Sequence, residues 1–295
     1  MLTALFVAAR ILASPVSNVF QKQLAQRSAN PLFIIGATHA LLTLGCLPLV
    51  FLGSLPLDPR FWTNIAICAA LAVAGNVLLV CALSSTGLSV LGPINAYKSV
   101  IGLVLGIFLI GEVPTLLGAA GVLLILAGSY FVVDRDLHQP RRHAFAAFFS
   151  ERGIQFRFAA LILSATEAVF LKKALLLTSP LTTFVFWSIL GLPVAAAAMA
   201  LLRGRYLGNE LVLLRHHWPT YLWLAIATGT MQLATLLTFG KLQVGYSLAL
   251  FQLSTLVSVF LGYRYFQEGH IPKRLLGSAI MAAGAVLIVL LGHKR

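Results

Sequence analysis

The sequence predicts an all-α integral membrane protein with ten transmembrane helices arranged as two inverted five-helix repeats. Three observations carry this expectation. Only 10% of the 295 residues are charged while 59% are hydrophobic, and the mean hydropathy is +0.94. A soluble domain carries about a quarter charged residues, so this chain has too little polar surface to dissolve in water. Apolar stretches of the roughly 20 residues that cross a bilayer fill most of its length, and its two halves repeat one another.

The stretches run at residues 4–24, 31–53, 62–84, 88–110, 114–133, 154–177, 181–202, 218–240, 245–267 and 271–292. The first is diluted by Arg10, Ser14, Pro15, Ser17 and Asn18. With no basic region before its apolar run, MLTALFVAAR reads as a retained helix rather than a cleaved leader. Residues 134–153, DRDLHQPRRHAFAAFFSERG, are a charged linker near the midpoint, dividing the chain into units 1–133 and 154–295. No room remains for a soluble catalytic or nucleic-acid-binding domain, and the formal charge of +13 is the loop-and-headgroup basicity of a membrane protein. Cys46, Cys68 and Cys81 all fall inside spans, which argues for small apolar filler rather than a disulfide or metal framework.

Two registers of repetition connect the halves. Residues 9–24 align without gaps to 159–174, pairing Ala9 with Ala159, Ser14 with Ser164, Val19 with Val169, Phe20 with Phe170 and Lys22 with Lys172. This match restores the weak first helix. Further along, Glu112, Gly121 and Gly128 recur as Glu268, Gly277 and Gly284, and the same offset relates Asn76 to Gln232 and Gly106 to Gly262. A unit with an odd number of helices starts and ends on opposite sides of the membrane, so its copy enters inverted. Inverted repeats are the architecture of secondary transporters, with the solute held near the midplane.

Each half places a Glu-containing element (IGEVPT, FQEGHIP) ahead of a Gly-rich last helix (GAAGVLLILAG, GSAIMAAGAV). In this the chain resembles the drug/metabolite transporter superfamily, and within it the EamA-type transporters. The resemblance implies ten helices, two EamA domains and movement of amino acids, metabolites, sugar conjugates or drugs. The second half departs from the pattern at Gln267, where the first has Gly111.

Ionisable groups inside lipid are costly and mark functional sites. Lys98 lies mid-span, with roughly 15 Å of helix to either end, farther than a lysine can snorkel. Asn95, Gly102 and Gly106 share its helix face. Glu167, with Ser164 on the same face, is its natural partner and a candidate proton carrier. The amides Asn76 and Gln232 are repeat mates, and Asn95 matches Gln252 to within a residue; such groups suit either a polar solute or interhelical bonding. The expected substrate-binding set is therefore Lys98, Asn95, Asn76, Gln232 and Gln252, with Glu167 as coupling group or ion pair. His39 reads as a satisfied core histidine, Lys22 and Lys172 as interfacial anchors, and Glu112 and Glu268 as helix-end caps. Arg10 is left open between cavity and interface.

No Walker A, HExxH or GxSxG pattern occurs, and no Cys/His cluster has ligand spacing. The chain is thus not read as an enzyme, and no cofactor is implied. The expected function is secondary transport of a small polar metabolite, an amino acid or an organic anion or zwitterion, by alternating access in a bacterial-type plasma membrane. Its partners would be lipid and solute, with protons as a coupling option and no nucleic acid. A proton-coupled exporter of cations and a non-transporting subunit or lipid-handling scaffold are the alternatives. Basic residues gather in the loops after helices 1, 5, 7 and 9, which favours external termini, whereas the resembled family has cytoplasmic ones.

Overall fold

The computed structural model describes residues 2–50, 55–88, 91, 94–95, 97–132, 150–203, 207–267, 276–281, 283–284 and 287. Among them there is no strand. The helices are α1 (Leu2–Gln26), α2 (Pro31–Val50), α3 (Pro59–Ser85), α4 (Tyr97–Ile110), α5 (Leu116–Val132), α6 (Arg152–Leu175), α7 (Pro180–Arg203), α8 (Leu207–His216), α9 (Trp218–Phe239), α10 (Val244–Leu250) and α11 (Ser254–Phe266). A 3-10 turn, Phe251–Leu253, joins the last two, and residues 276–281 are also helical.

Among the described residues, seven helices are long and apolar enough to cross a bilayer, counting Val244–Phe266 as one. Of the fourth stretch, Leu88, Leu91 and Ile94 are helical, Asn95 is in a turn, and a regular helix runs over Tyr97–Ile110. The fifth stretch holds the apolar helix α5, Leu116–Val132. Most of the expected span 271–292, Glu268 and the linker up to residue 149 lie outside the described residues. The chain between α7 and α9, read as a loop from sequence, contains α8, whose Leu211 and Val212 are exposed. Leu116, Leu201 and Phe108 are more than 80% exposed, as lipid-facing side chains are.

Close contacts fix how the helices run. Antiparallel packing joins α3 to α6: Cys68 Sγ meets Glu167, Gly75 meets the Ala160 carbonyl, and Thr86 Oγ1 donates to Glu151 Oε1 at 2.8 Å. Helices α1 and α9 do the same through Arg10–Thr235 and Ser17–Thr228. So do α2 and α7, where Gly36 faces Met199 and Thr43 donates to the Ser188 carbonyl. Gly102 of α4 packs on Leu248 of α10, and Gly245 on Leu103. Finally, a Cβ on Gly128 would sit 2.6 Å from the Gly277 carbonyl, and one on Gly284 would sit 2.6 Å from that of Gly121. Only glycine permits backbones so close.

The largest apolar cluster fills the space among α2, α3, α6, α7 and α9, with Phe186 edge-on to Phe61 and Trp62. At the water-facing start of α3, Asp58 caps the helix by accepting from Arg60 N. The Arg60 guanidinium also donates to it, which holds the Asp58 carboxyl below its ordinary range.

Candidate functional site

One side of α1 is polar. Arg10, Ser14, Ser17, Asn18 and Gln21 recur at helical spacing, so they stand on one face. Burying that face against lipid would strand every one of them, and the fold turns it inward. Helix α6 presents Arg157, Ser164 and Glu167 to the same space, and α9 presents Thr228, Gln232 and Thr235. Asn76 comes from α3, Trp187 from α7, and Phe251, Ser254 and Ser258 from the α10–α11 segment. Asn95 and Lys98 enter from the turn and first residues of α4. Together these enclose a cavity of about 100 Å³.

The charged groups are held by neutral partners. Arg10 Nε donates to Thr235 Oγ1 at 2.8 Å, and its guanidinium lies 4.9 Å over the Phe251 ring. Arg157 is buried, and its Nε donates to the Leu91 carbonyl at 3.2 Å. Glu167 Oε1 accepts from Trp187 Nε1 at 3.2 Å and receives Cys68 Sγ at 3.9 Å. Among the described residues no carboxylate oxygen lies within 4 Å of the Lys98, Arg10 or Arg157 cations. The expected Lys98–Glu167 pair thus faces across a shared cavity rather than forming a contact ion pair.

Of the residues expected from sequence, Lys98, Asn95, Asn76, Gln232 and Glu167 line the cavity. Gln252 does not; its Oε1 accepts from Asn95 Nδ2 at 3.2 Å while its Nε2 donates to the Leu248 carbonyl. It positions Asn95 from behind. Asn76 Nδ2 is engaged by its own helix at the Ala72 carbonyl. Three buried atoms on the cavity lining have no partner among the described residues: Arg10 Nη1, Gln21 Oε1 and Gln232 Nε2. Arg157, Gln21 and Trp187 were not anticipated. Arg157 sits close to the start of its stretch, where an arginine reads as interfacial. The signal that exposes Gln21 is the polar stripe on α1, which sequence reading registers as weak hydropathy.

His39 is buried as expected, with Nδ1 3.2 Å from the Ser188 carbonyl and its ring against Trp187. It braces the tryptophan that holds Glu167. Lys172 is a correction: instead of an interfacial anchor it is buried, donating to the carbonyls of Phe239 and Leu242 and standing 3.8 Å from Glu112. Glu112 Oε2 accepts from Val244 N at 2.7 Å, so it does cap a helix end, that of α10. Lys22, expected as the matching interfacial anchor, is likewise buried, with its ammonium 4.4 Å over the Phe266 ring. Cys46, Cys68 and Cys81 are free thiols, and no group of three metal-ligating side chains occurs among the described residues.

Residues 1–134 match the model of the EamA-like transporter family. No curated protein matches the chain. A solved protein crystal structure superposes on it with a TM-score of 0.70 at 15% identity, covering 99% of each chain. That likeness concerns the fold alone.

Proposed function

Proceeding from residues 1–134 as a member of the EamA-like transporter family, within the drug/metabolite transporter superfamily, we propose that this membrane protein is a secondary transporter. In this reading it moves a small polar metabolite, an organic anion or zwitterion such as an amino acid, by alternating access. One observation carries the reading. In a chain so poor in charge, Arg10, Lys98, Arg157 and Glu167 converge on a single cavity between helices. Burying charge without function is costly, and a solute site repays it by binding.

We further propose that residues 1–133 and 154–295 are two inverted five-helix repeats in a plasma membrane. Support comes from the packing: α2 and α7, and α4 and the α10–α11 segment, hold matching places in the two halves and run antiparallel. The contacts of α3 with α6 and of α1 with α9 exchange under the same correspondence. Rocking one unit against the other about such a site is the usual alternating-access motion.

Within this scheme Lys98 binds the anionic group, Asn95, Asn76 and Gln232 orient the solute, and Glu167 takes its cationic group or a coupling proton. The position of Glu167, with no cation at ion-pair distance among the described residues, favours a second reading: a proton-coupled cation exporter. Purified protein in lipid vesicles separates the readings. Anion or zwitterion flux lost in Lys98→Ala supports the first, whereas cation flux lost only in Glu167→Gln supports the second. Absence of flux for every solute would leave a non-transporting subunit.

A further inference from the structure

Resting on the transport reading above, we infer that the cavity selects a short-chain dicarboxylate, a solute with two separated negative groups. Charge count comes first. Arginine stays protonated in proteins, so Arg10 and Arg157 supply two fixed cations, Lys98 adds a third, and Glu167 is the one carboxylate on the lining among the described residues. A zwitterion brings no net charge and leaves that excess uncompensated, and a monoanion offsets only part of it. A dianion balances it. Uncompensated buried charge is strongly unfavourable, so the solute's own charge decides whether the loaded cavity is stable.

Placement of the cations argues for separated charges. Arg157 is fixed at Leu91. Arg157 and Glu167 stand ten residues apart on α6, about 15 Å of helix rise, while Arg10 enters from α1, fixed at Thr235, and Lys98 from α4. The three cations are therefore anchored on three separate elements, which suits a solute carrying a negative group at each end rather than a compact dianion such as phosphate.

Unpartnered donors point the same way. Arg10 Nη1 and Gln232 Nε2 are buried on the lining without an acceptor among the described residues. A planar guanidinium with a free donor suits bidentate capture of a carboxylate. Gln21 Oε1, the one orphaned acceptor there among the described residues, suits a hydroxyl or amino substituent on the diacid.

The test is equilibrium binding to the purified full chain, followed by thermal stabilisation, with succinate, propionate, alanine and phosphate as probes. Succinate is expected to bind at least about tenfold more tightly than the other three. Arg157→Gln should lower succinate affinity by about tenfold or more while leaving propionate within about twofold. Arg157→Lys, which keeps the charge but loses the fork, should fall between. Propionate, alanine or phosphate binding as well as succinate would overturn the inference, as would no binding by any probe. Should Arg157→Gln fail to fold, the wild-type ranking and Arg157→Lys decide. Vesicle flux is scored separately: succinate bound but not moved removes the transport reading and leaves the dicarboxylate site standing, whereas alanine moved without succinate does the reverse.

Discussion

Helices α1 and α6 occupy matching places in the two halves, and they agree in some residues and disagree in others. Ser14 and Ser164 both line the cavity, and Lys22 and Lys172 are both buried near the ends of their helices. Yet Arg10 faces Ala160 in the alignment, Arg157 faces Val7, and Glu167 faces Ser17. What the alignment preserves is framework; what it breaks is charge. A symmetric scaffold can thus carry an asymmetric site.

The largest effect is expected from erasing the charge difference. Arg157→Val and Glu167→Ser each give α6 the residue found in α1, and each should cut vesicle flux by about 100-fold, the scale of unpairing a buried charge. Flux within a few fold of wild type would mean that the asymmetry has no part in transport. Next comes the glycine crossing. Gly128→Ala places a methyl against the Gly277 carbonyl and should destabilise by up to about 3 kcal/mol, whereas Gly45→Ala, with nothing within 4 Å of the new atom, should be neutral or better. Denaturant titration in detergent compares them. Using the same titration, Lys172→Met should cost about 1–3 kcal/mol by orphaning the Phe239 and Leu242 carbonyls; stability equal to wild type would show that those bonds add nothing.

The smallest effect concerns one matched turn. Gly111 and Gln267 both have positive φ, +79° and +53°, each ending a helix at the same place in its half. The first half meets the left-handed geometry with glycine, and the second meets it with a residue that pays about 1–2 kcal/mol to be there. Gln267→Gly should therefore stabilise by about 0.5 kcal/mol, and Gly111→Ala destabilise by about 1 kcal/mol, since no clash adds to the backbone term. A destabilised Gln267→Gly variant would mean that the glutamine side chain earns its place.

Much of the site was legible because polarity is conspicuous in an apolar chain. Lys98, Glu167, Asn76, Asn95 and Gln232 stand out in any reading of their stretches, and they do line the cavity. Arg157 was invisible for the opposite reason, as an arginine near the end of a span has a bland explanation at the interface. Gln252 was selected for its polarity but stands behind the lining, holding Asn95. Lys172 reads as an anchor because sequence shows its position along a helix and not the carbonyls of Phe239, at the end of α9, and Leu242, in the turn after it.

The sequence by itself determined that the chain is helical and belongs in lipid, because hydropathy and backbone hydrogen bonding in a bilayer leave few other solutions. It also determined which glycines and polar groups recur. Tertiary structure alone decided that Gly121 meets Gly284 and Gly128 meets Gly277, that Asn95 stands in a turn ahead of α4, and that arginines from two distant helices share one cavity. Hydropathy is a property of single residues and short windows. A cavity is made by pairs of helices, and which pairs meet depends on packing between segments more than a hundred residues apart.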